Sequence, residues 1–221
     1  MIDLTPVFLT FKLALITVVI LLVFSVPLAW WLSTTSSKFK PFLESLTALP
    51  LVLPPTVLGF YLLIMLSQNG VVGQAWQELT GSPLAFSFTG LVIASCIYSL
   101  PFVVQPLQTA FEKLDKKSIE AAYTLGASHL RTFILVIIPM IRRGLITALV
   151  LGFAHTVGEF GVVLMVGGNI PGETQVISIA IYEAVETLDY ATAHWMSLGL
   201  LVFSMLVLLI VYSLNRKWSI N

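Results

Sequence analysis

His155 and Glu159 stand four residues apart in an apolar stretch, a spacing that makes them neighbours on one face of a helix. They form the one ionisable pair placed deep in such a stretch, and a pair is too little for an enzyme. The chain has no His-Glu-x-x-His and no Gly-x-Ser-x-Gly, so neither a zinc-bound water nor an activated serine is in prospect. It also has no Gly-x4-Gly-Lys-Ser/Thr loop, and so cannot bind ATP in that manner. The single cysteine, Cys96, lies in an apolar run, which excludes an intrachain disulfide and a Cys-rich metal site. Two roles remain for His155 and Glu159. They line a polar path or steady a gate, or they satisfy each other and pin a helix bend near Gly158.

The elements that must position them follow from hydropathy. Hydrophobic residues make up 57% of the 221, charged residues 10%, and mean hydropathy is +0.97. A soluble domain carries about 25% charged residues, so this is an integral membrane protein. A net charge of zero argues against nucleic-acid binding. A helix crossing a bilayer needs about 20 mostly apolar residues. Five runs qualify: Phe8 to Leu32, Leu46 to Leu66, Phe88 to Leu107, Leu145 to Val166 and Trp195 to Tyr212. The first is far longer than a signal-peptide core and reads as a retained span. A sixth stretch, Val176 to Val185, is too short to cross and carries Glu183; it is expected to lie at the outer surface or dip into it. The expectation is an all-α polytopic membrane protein, one domain over residues 1–221 with its core at about 8–214.

Charge placement orients the molecule. Lys38 and Lys40 fall between the first and second spans. Lys113, Lys116, Lys117, Arg131, Arg142 and Arg143 fall between the third and fourth, and Arg216 and Lys217 follow the last. Of the 11 basic residues only Lys12 departs from that side, and the segments Ser67 to Ser87 and Gly167 to His194 contain none. The side rich in Lys and Arg is cytoplasmic by the positive-inside rule, which puts the amino terminus outside and the carboxyl terminus inside.

One polar, mixed-charge segment on that inner side stands out: Glu120 to Pro139, EAAYTLGASHLRTFILVIIP. Glu120, Ala121, Ala122 and Leu125 are good helix formers, and Gly126 interrupts them as a helix C-cap residue would. A second short helical pattern, Ser128 to Ile137, precedes Pro139. Two short helices joined at a glycine make a compact knob that suits a groove on a partner. The order Glu-Ala-Ala, three residues, Gly, nine residues, then Val-x-Ile-Pro resembles the EAA loop of type I ABC importer membrane subunits. Val136 and Ile138 replace that pattern's usual Ile and Leu. The resemblance implies a coupling loop at about 110–142, with Glu120, Ala121, Ala122, Leu125, Gly126 and Pro139 gripping a cytoplasmic ATPase.

Three further stretches are similar to molybdate-type permeases, so that the likeness runs from about Ala14 to Ile210. Leu49 to Tyr61, LPLVLPPTVLGFY, looks like their LPLVLPPxVxGY run. His155 to Gly161, HTVGEFG, is similar to their R-S-L-G-E-F-G segment, and Asn169 to Thr174 reads NIPGET as theirs does. Relatives often carry Arg where this chain has His155, so a permanent positive charge is not expected there. The resemblance implies that Asn169, Pro171, Gly172 and Glu173 contact an external binding protein; the bare sequence reads them equally as an exposed Pro-Gly turn. Pro50, Pro54 and Pro55 remove backbone donors from the second span, a loss tolerated in membranes where neighbours or a cavity re-satisfy the freed groups. They read as a packing kink or as part of a gate, as do Pro101 and Pro106 in the third span. On the gate reading the candidates are Pro54, Pro55, Thr56, His155, Thr156 and Glu159.

In the fourth span Gly144, Ala148, Gly152 and Thr156 recur every four residues, a small-residue stripe suited to close helix contact within one subunit or across a dimer. Glu159 lies roughly 24 Å beyond Arg143 at about 1.5 Å per residue, where ionisable groups face a bundle interior or a wet path. A structural role for it weighs more than a substrate-binding one, because a carboxylate repels an oxyanion. The spans hold no deep Lys or Arg, so anion passage relies on hydroxyls, helix N-termini and water.

The resemblance implies two copies of this chain, two ATPase chains carrying ATP and Mg, and an external solute-binding protein, in a bacterial or archaeal cytoplasmic membrane. This chain itself would bind no cofactor and would not be an enzyme. Molybdate is the expected substrate, with sulfate, thiosulfate or tungstate as alternatives. A more distant alternative is an ion-coupled secondary carrier, though no clear internal repeat and a single deep carboxylate speak against it.

Overall fold

The computed structural model describes residues 3–219, with side chains described through residue 209. Every regular element among them is helical. In chain order they are α1 (Thr5–Thr34), α2 (Lys40–Val52), α3 (Pro55–Leu66), α4 (Val71–Thr80), α5 (Phe88–Glu112) and α6 (Lys116–Thr124). The chain continues through α7 (His129–Thr132), a π-helical turn (Phe133–Ile137), α8 (Ile138–Met140) and α9 (Arg142–Val157). It closes with α10 (Gly161–Gly167), α11 (Ile177–Glu186) and α12 (Tyr190–Ser219).

Three helices are each long and apolar enough to cross a membrane: α1, α5 and the described part of α12, Tyr190–Leu209. Five spans result if each of two bent helix pairs is counted as one. The expected second span, Leu46 to Leu66, is therefore not one helix: α2 and α3 meet at 113°. The break falls at Leu53, which proline at 54 forces into an extended conformation with ψ 136°. Pro50, by contrast, sits inside α2 without ending it. The expected fourth span, Leu145 to Val166, is also broken. α9 stops at Val157 with Gly158 as its cap, and α10 begins only at Gly161. α9 is bent by 71° from the α7–α8 segment before it.

The core is the contact among α1, α5 and α9. Leu13, Leu32, Leu91, Val103, Val104, Leu107 and Ala148 are fully buried there. The small-residue stripe makes this approach possible, and it does so inside the subunit. A Cβ at Gly144 would fall 2.3 Å from Ala110 Cβ, and one at Gly152 would fall 2.6 Å from Val103 Cγ2. α3 packs on α10 in the same manner, since a Cβ at Gly59 would meet Met165 Cβ at 2.8 Å.

The short helix expected at 176–185 forms as α11. It is seated in the bundle rather than laid on its surface: Ile179 is fully buried and the Ile177 N–H donates to Thr10 Oγ1 of α1 at 2.8 Å. α12 exposes Leu201, Met205 and Leu209, an outward face suited to lipid. Asp189 begins that helix by accepting from the Thr192 N–H at 3.1 Å, and its hydrogen bonds to Thr192 hold the carboxyl below the usual range. Lys12, the one basic residue outside the charge pattern, lies over the Phe88 ring at 4.4 Å. The side chains of Arg216 and Lys217 lie outside the described residues.

Candidate functional site

The Glu120–Pro139 segment folds as the expected knob. Asp115 caps α6, accepting from the Lys117 N–H at 3.1 Å and from Ser118 Oγ at 3.2 Å. Glu120 sits in the second turn of the helix, exposed. Gly126 ends the helix with φ +82°, donating to the Tyr123 carbonyl at 2.9 Å while the Ala127 N–H reaches the Ala122 carbonyl at 3.1 Å. This pair of bonds is a Schellman cap, which selects glycine for its backbone conformation. Space is not the constraint, because a Cβ at Gly126 would meet nothing within 4 Å.

Ala121 is exposed, Ala122 is half-buried, and Leu125 is 88% exposed at the tip, an apolar side chain with no intrachain cover. Tyr123 Oη and His129 Nδ1, 3.1 Å apart, tie the two arms of the knob together.

The second arm differs from the helix expected over Ser128 to Ile137. Pro139 does not end it, and α8 runs on to Met140. Proline has no N–H and its ring crowds the carbonyl four residues back. The chain accommodates this with the π turn before it, where the Ile138 N–H bonds to the Phe133 carbonyl. Phe133 then packs edge-on against Trp30 of α1 at 5.7 Å, and Trp30 meets Phe111 of α5 at 5.2 Å. The knob is thereby joined to α1 and α5 through an aromatic cluster.

At the other end of α9 lies a buried polar cluster. Glu159 falls in the break between α9 and α10 and is 3% exposed. It is not on the helix with His155, and the two do not satisfy each other directly: His155 Nδ1 is 3.7 Å from Glu159 Oε1. Two serines of α5 do that work instead. Ser95 Oγ donates to Glu159 Oε2 at 2.5 Å, and Ser99 Oγ donates to Oε1 at 3.0 Å. Ser99 Oγ also lies 2.8 Å from His155 Nδ1 and 2.9 Å from Thr156 Oγ1. The Glu159 carbonyl accepts from Ser178 Oγ of α11. The cluster thus joins the α9–α10 break to α5 and α11 through partners that the i, i+4 spacing could not show. Ser95 and Ser99 carried one legible signal: hydroxyls four apart on an otherwise apolar span.

Around this cluster is a cavity of about 560 Å³, lined by Pro55, Thr56, Tyr98, His155, Glu159 and Gly161 among others. Four of the six gate candidates therefore converge: Pro55, Thr56, His155 and Glu159. Pro54 stays at the α2–α3 bend outside this lining, and Thr156 sits behind it, its hydroxyl shared between Ser99 Oγ and the Gly152 carbonyl, each at 2.9 Å. A second cavity of about 830 Å³ opens toward the knob, with Gln105, Thr109, Lys113, Arg143 and Thr147 on its wall. Thr109 and Thr147 bring hydroxyls to that wall, and Lys113 and Arg143 bring cations.

The Asn169–Glu173 loop is exposed, including Asn169, Pro171, Gly172 and Glu173. It is held from beneath by Thr174, whose hydroxyl donates to the Gly167 carbonyl at 2.7 Å and accepts from the Ile170 N–H at 3.1 Å. Gly172 turns it at φ +80°.

Over residues 14–219 the chain matches the family described as binding-protein-dependent transport system inner membrane component. It is 53% identical over 214 residues to the molybdenum transport system permease protein ModB of Azotobacter vinelandii, covering 97% of this chain and 95% of that one. Identity to the ModB protein of Escherichia coli strain K12 is 38% over 181 residues, 82% of this chain and 79% of that one. The sulfate transport system permease protein CysT of a Synechocystis strain is 35% identical over 191 residues, 86% of this chain and 66% of that protein. Two solved structures of a bacterial alginate ABC transporter share the fold. One, at TM-score 0.70 and 18% identity, covers 95% of this chain and 79% of that one. The other, in complex with a pentasaccharide-bound periplasmic protein, has TM-score 0.69 and 16% identity over 96% and 79% of the two chains.

Proposed function

Because the chain belongs to the binding-protein-dependent transport system inner membrane components, we propose that it is the permease subunit of an ATP-driven molybdate importer. The observation that carries the substrate is the 53% identity to a molybdenum permease across 97% of the chain. The protein is a multi-pass membrane component that forms the solute path. Sulfate is the second reading, supported by the CysT relative at 35% identity.

The finer assignments extend this reading. The whole chain is one membrane domain, its amino terminus outside and its knob in the cytoplasm of a bacterial or archaeal cell. Two copies pair with two ATPase chains, which hold ATP and Mg and perform the hydrolysis; this chain is not the catalyst. Exposed Glu120, Ala121 and Leu125, with Ala122 behind them, present the knob to the ATPase, while Gly126 sets its turn and Pro139 the π turn that leads back to the bundle. When ATP closes the ATPase pair, the knobs move with it, and the Phe133–Trp30–Phe111 contact carries that motion to α1 and α5. The cavity beside Pro55, Thr56, His155 and Glu159 and the cavity ending at Lys113 and Arg143 are two parts of the path. Asn169, Pro171, Gly172 and Glu173 face the external binding protein.

The test is uptake of labelled molybdate by cells lacking their own importer, supplied with this chain and its ATPase and binding-protein partners. Uptake that unlabelled molybdate abolishes and excess sulfate leaves intact is expected. Competition by sulfate at equal concentration would transfer the assignment to the sulfate reading.

A further inference from the structure

The two cavities lie one after the other along the same pair of helices. On α5, Tyr98 faces the cavity beside Glu159, while Pro101 and Phe102 face the one that opens toward the knob. On α9, Leu151 faces the knob-side cavity, while Ala154 and His155 face the other. Both helices change cavity at one level, and at that level three rings meet. His155 stacks on Phe102 with centroids 3.8 Å apart and planes 24° apart. Tyr98 meets His155 edge-on at 4.7 Å.

The stack is fixed from behind. Ser99, between Tyr98 and Phe102 on α5, holds His155 Nδ1 at 2.8 Å and is itself bonded to Glu159. One turn of α5 and one turn of α9 are thereby locked face to face. Pro101 adjoins the stack and cannot donate to the carbonyl of Ile97, so α5 lacks one rung of its ladder at this level.

We propose that Phe102, stacked on His155 and edged by Tyr98, is the partition that closes the knob-side cavity from the one beside Glu159. This deepens the transport reading, on which the direction of access rests. It assigns to Phe102 and Tyr98 a barrier role, and it makes the Ser99–Glu159 bonds the positioning device for His155. An aromatic plug of this kind blocks a hydrated ion by removing the water it needs.

The test uses the assembled transporter in inside-out vesicles, without nucleotide, in a Cys96→Ser background. An impermeant thiol reagent reports access from the knob side at Thr147→Cys in the knob-side cavity and at Ala154→Cys beyond the partition. Thr147→Cys is expected to react and Ala154→Cys to be protected. Adding Phe102→Ala should raise the rate at Ala154→Cys toward that at Thr147→Cys, as for a constriction that sets access, and leave Thr147→Cys unchanged. Phe102→Leu, which keeps an apolar bulk, should give a smaller rise and serves if the alanine variant does not assemble. Ala154→Cys reacting as fast as Thr147→Cys with Phe102 intact overturns the partition, as does a rate that neither Phe102 variant changes. Molybdate uptake by the unaltered complex is measured separately, so the transport reading and the partition fail independently.

Discussion

Ser95 reaches across 64 residues of sequence to donate to the Glu159 carboxylate at 2.5 Å, closing the break that separates α9 from α10. The carboxylate is 3% exposed and both of its oxygens are bonded to hydroxyls. Removing one donor leaves a buried acceptor short of a partner, at a cost of about 1–3 kcal/mol. Ser95→Ala and Glu159→Gln are therefore expected to lower the melting temperature of the purified complex and its yield. Preference among molybdate, tungstate and sulfate should not change. A Glu159→Gln complex that melts normally yet switches oxyanion preference sinks the structural role.

Orientation is tested from outside the cell. Gln74 and Gly172 are exposed on segments without basic residues, and Lys116 begins α6. In a Cys96-free background, an impermeant reagent applied to intact cells should label Gln74→Cys and Gly172→Cys and spare Lys116→Cys. Labelling at Lys116→Cys inverts the topology and with it the assignment of the knob to the cytoplasm.

The small-residue stripe makes a prediction about packing. Gly152→Ala would set a methyl 2.6 Å from Val103 Cγ2, and overpacking of this kind costs about 1–3 kcal/mol. The contact is within one subunit, so the loss should appear as lower thermal stability with the oligomeric state unchanged. Val103→Ala in the same chain should restore much of it, because the two side chains share one space. Failure of the second change to rescue the first would place the effect of Gly152 elsewhere, at a contact between copies.

Hydropathy alone revealed where apolar length lies, and Gly126 was legible because a helix former run ending at glycine has one common cap. The breaks were less so. Gly158 to Phe160 interrupt an apolar run for only three residues, too few to register against the hydropathy on either side. Glu159 therefore read as a helix neighbour of His155, when its partners are Ser95 and Ser99 on a helix far away in sequence. A long-range bond of that sort leaves no local pattern. Pro54 and Pro139 show that a proline's effect depends on what it can borrow. At Pro54 the chain turns by 113°, while at Pro139 a π turn absorbs the missing donor and the helix continues. The stripe Gly144, Ala148, Gly152 and Thr156 announced a close contact without naming the partner, which is α5.

The knob carries the prediction on which transport depends. At φ +82° an L-residue strains the cap by about 1–2 kcal/mol, and a β-branched side chain resists it further, so Gly126→Val should distort the turn between the two arms. Glu120→Lys acts differently, reversing an exposed charge in the second turn of α6 without touching the bundle. Leu125→Asp removes the apolar tip, which is 88% exposed and contributes nothing to the subunit's own core. All three variants should insert, dimerise and melt within a few degrees of the unaltered protein. Each should lose ATPase chains on affinity purification, or lose molybdate-stimulated ATP hydrolysis, in proportion to its loss of uptake. If Gly126→Val, Glu120→Lys and Leu125→Asp all retain the ATPase and full uptake, the α6–α8 knob is not where this subunit is driven.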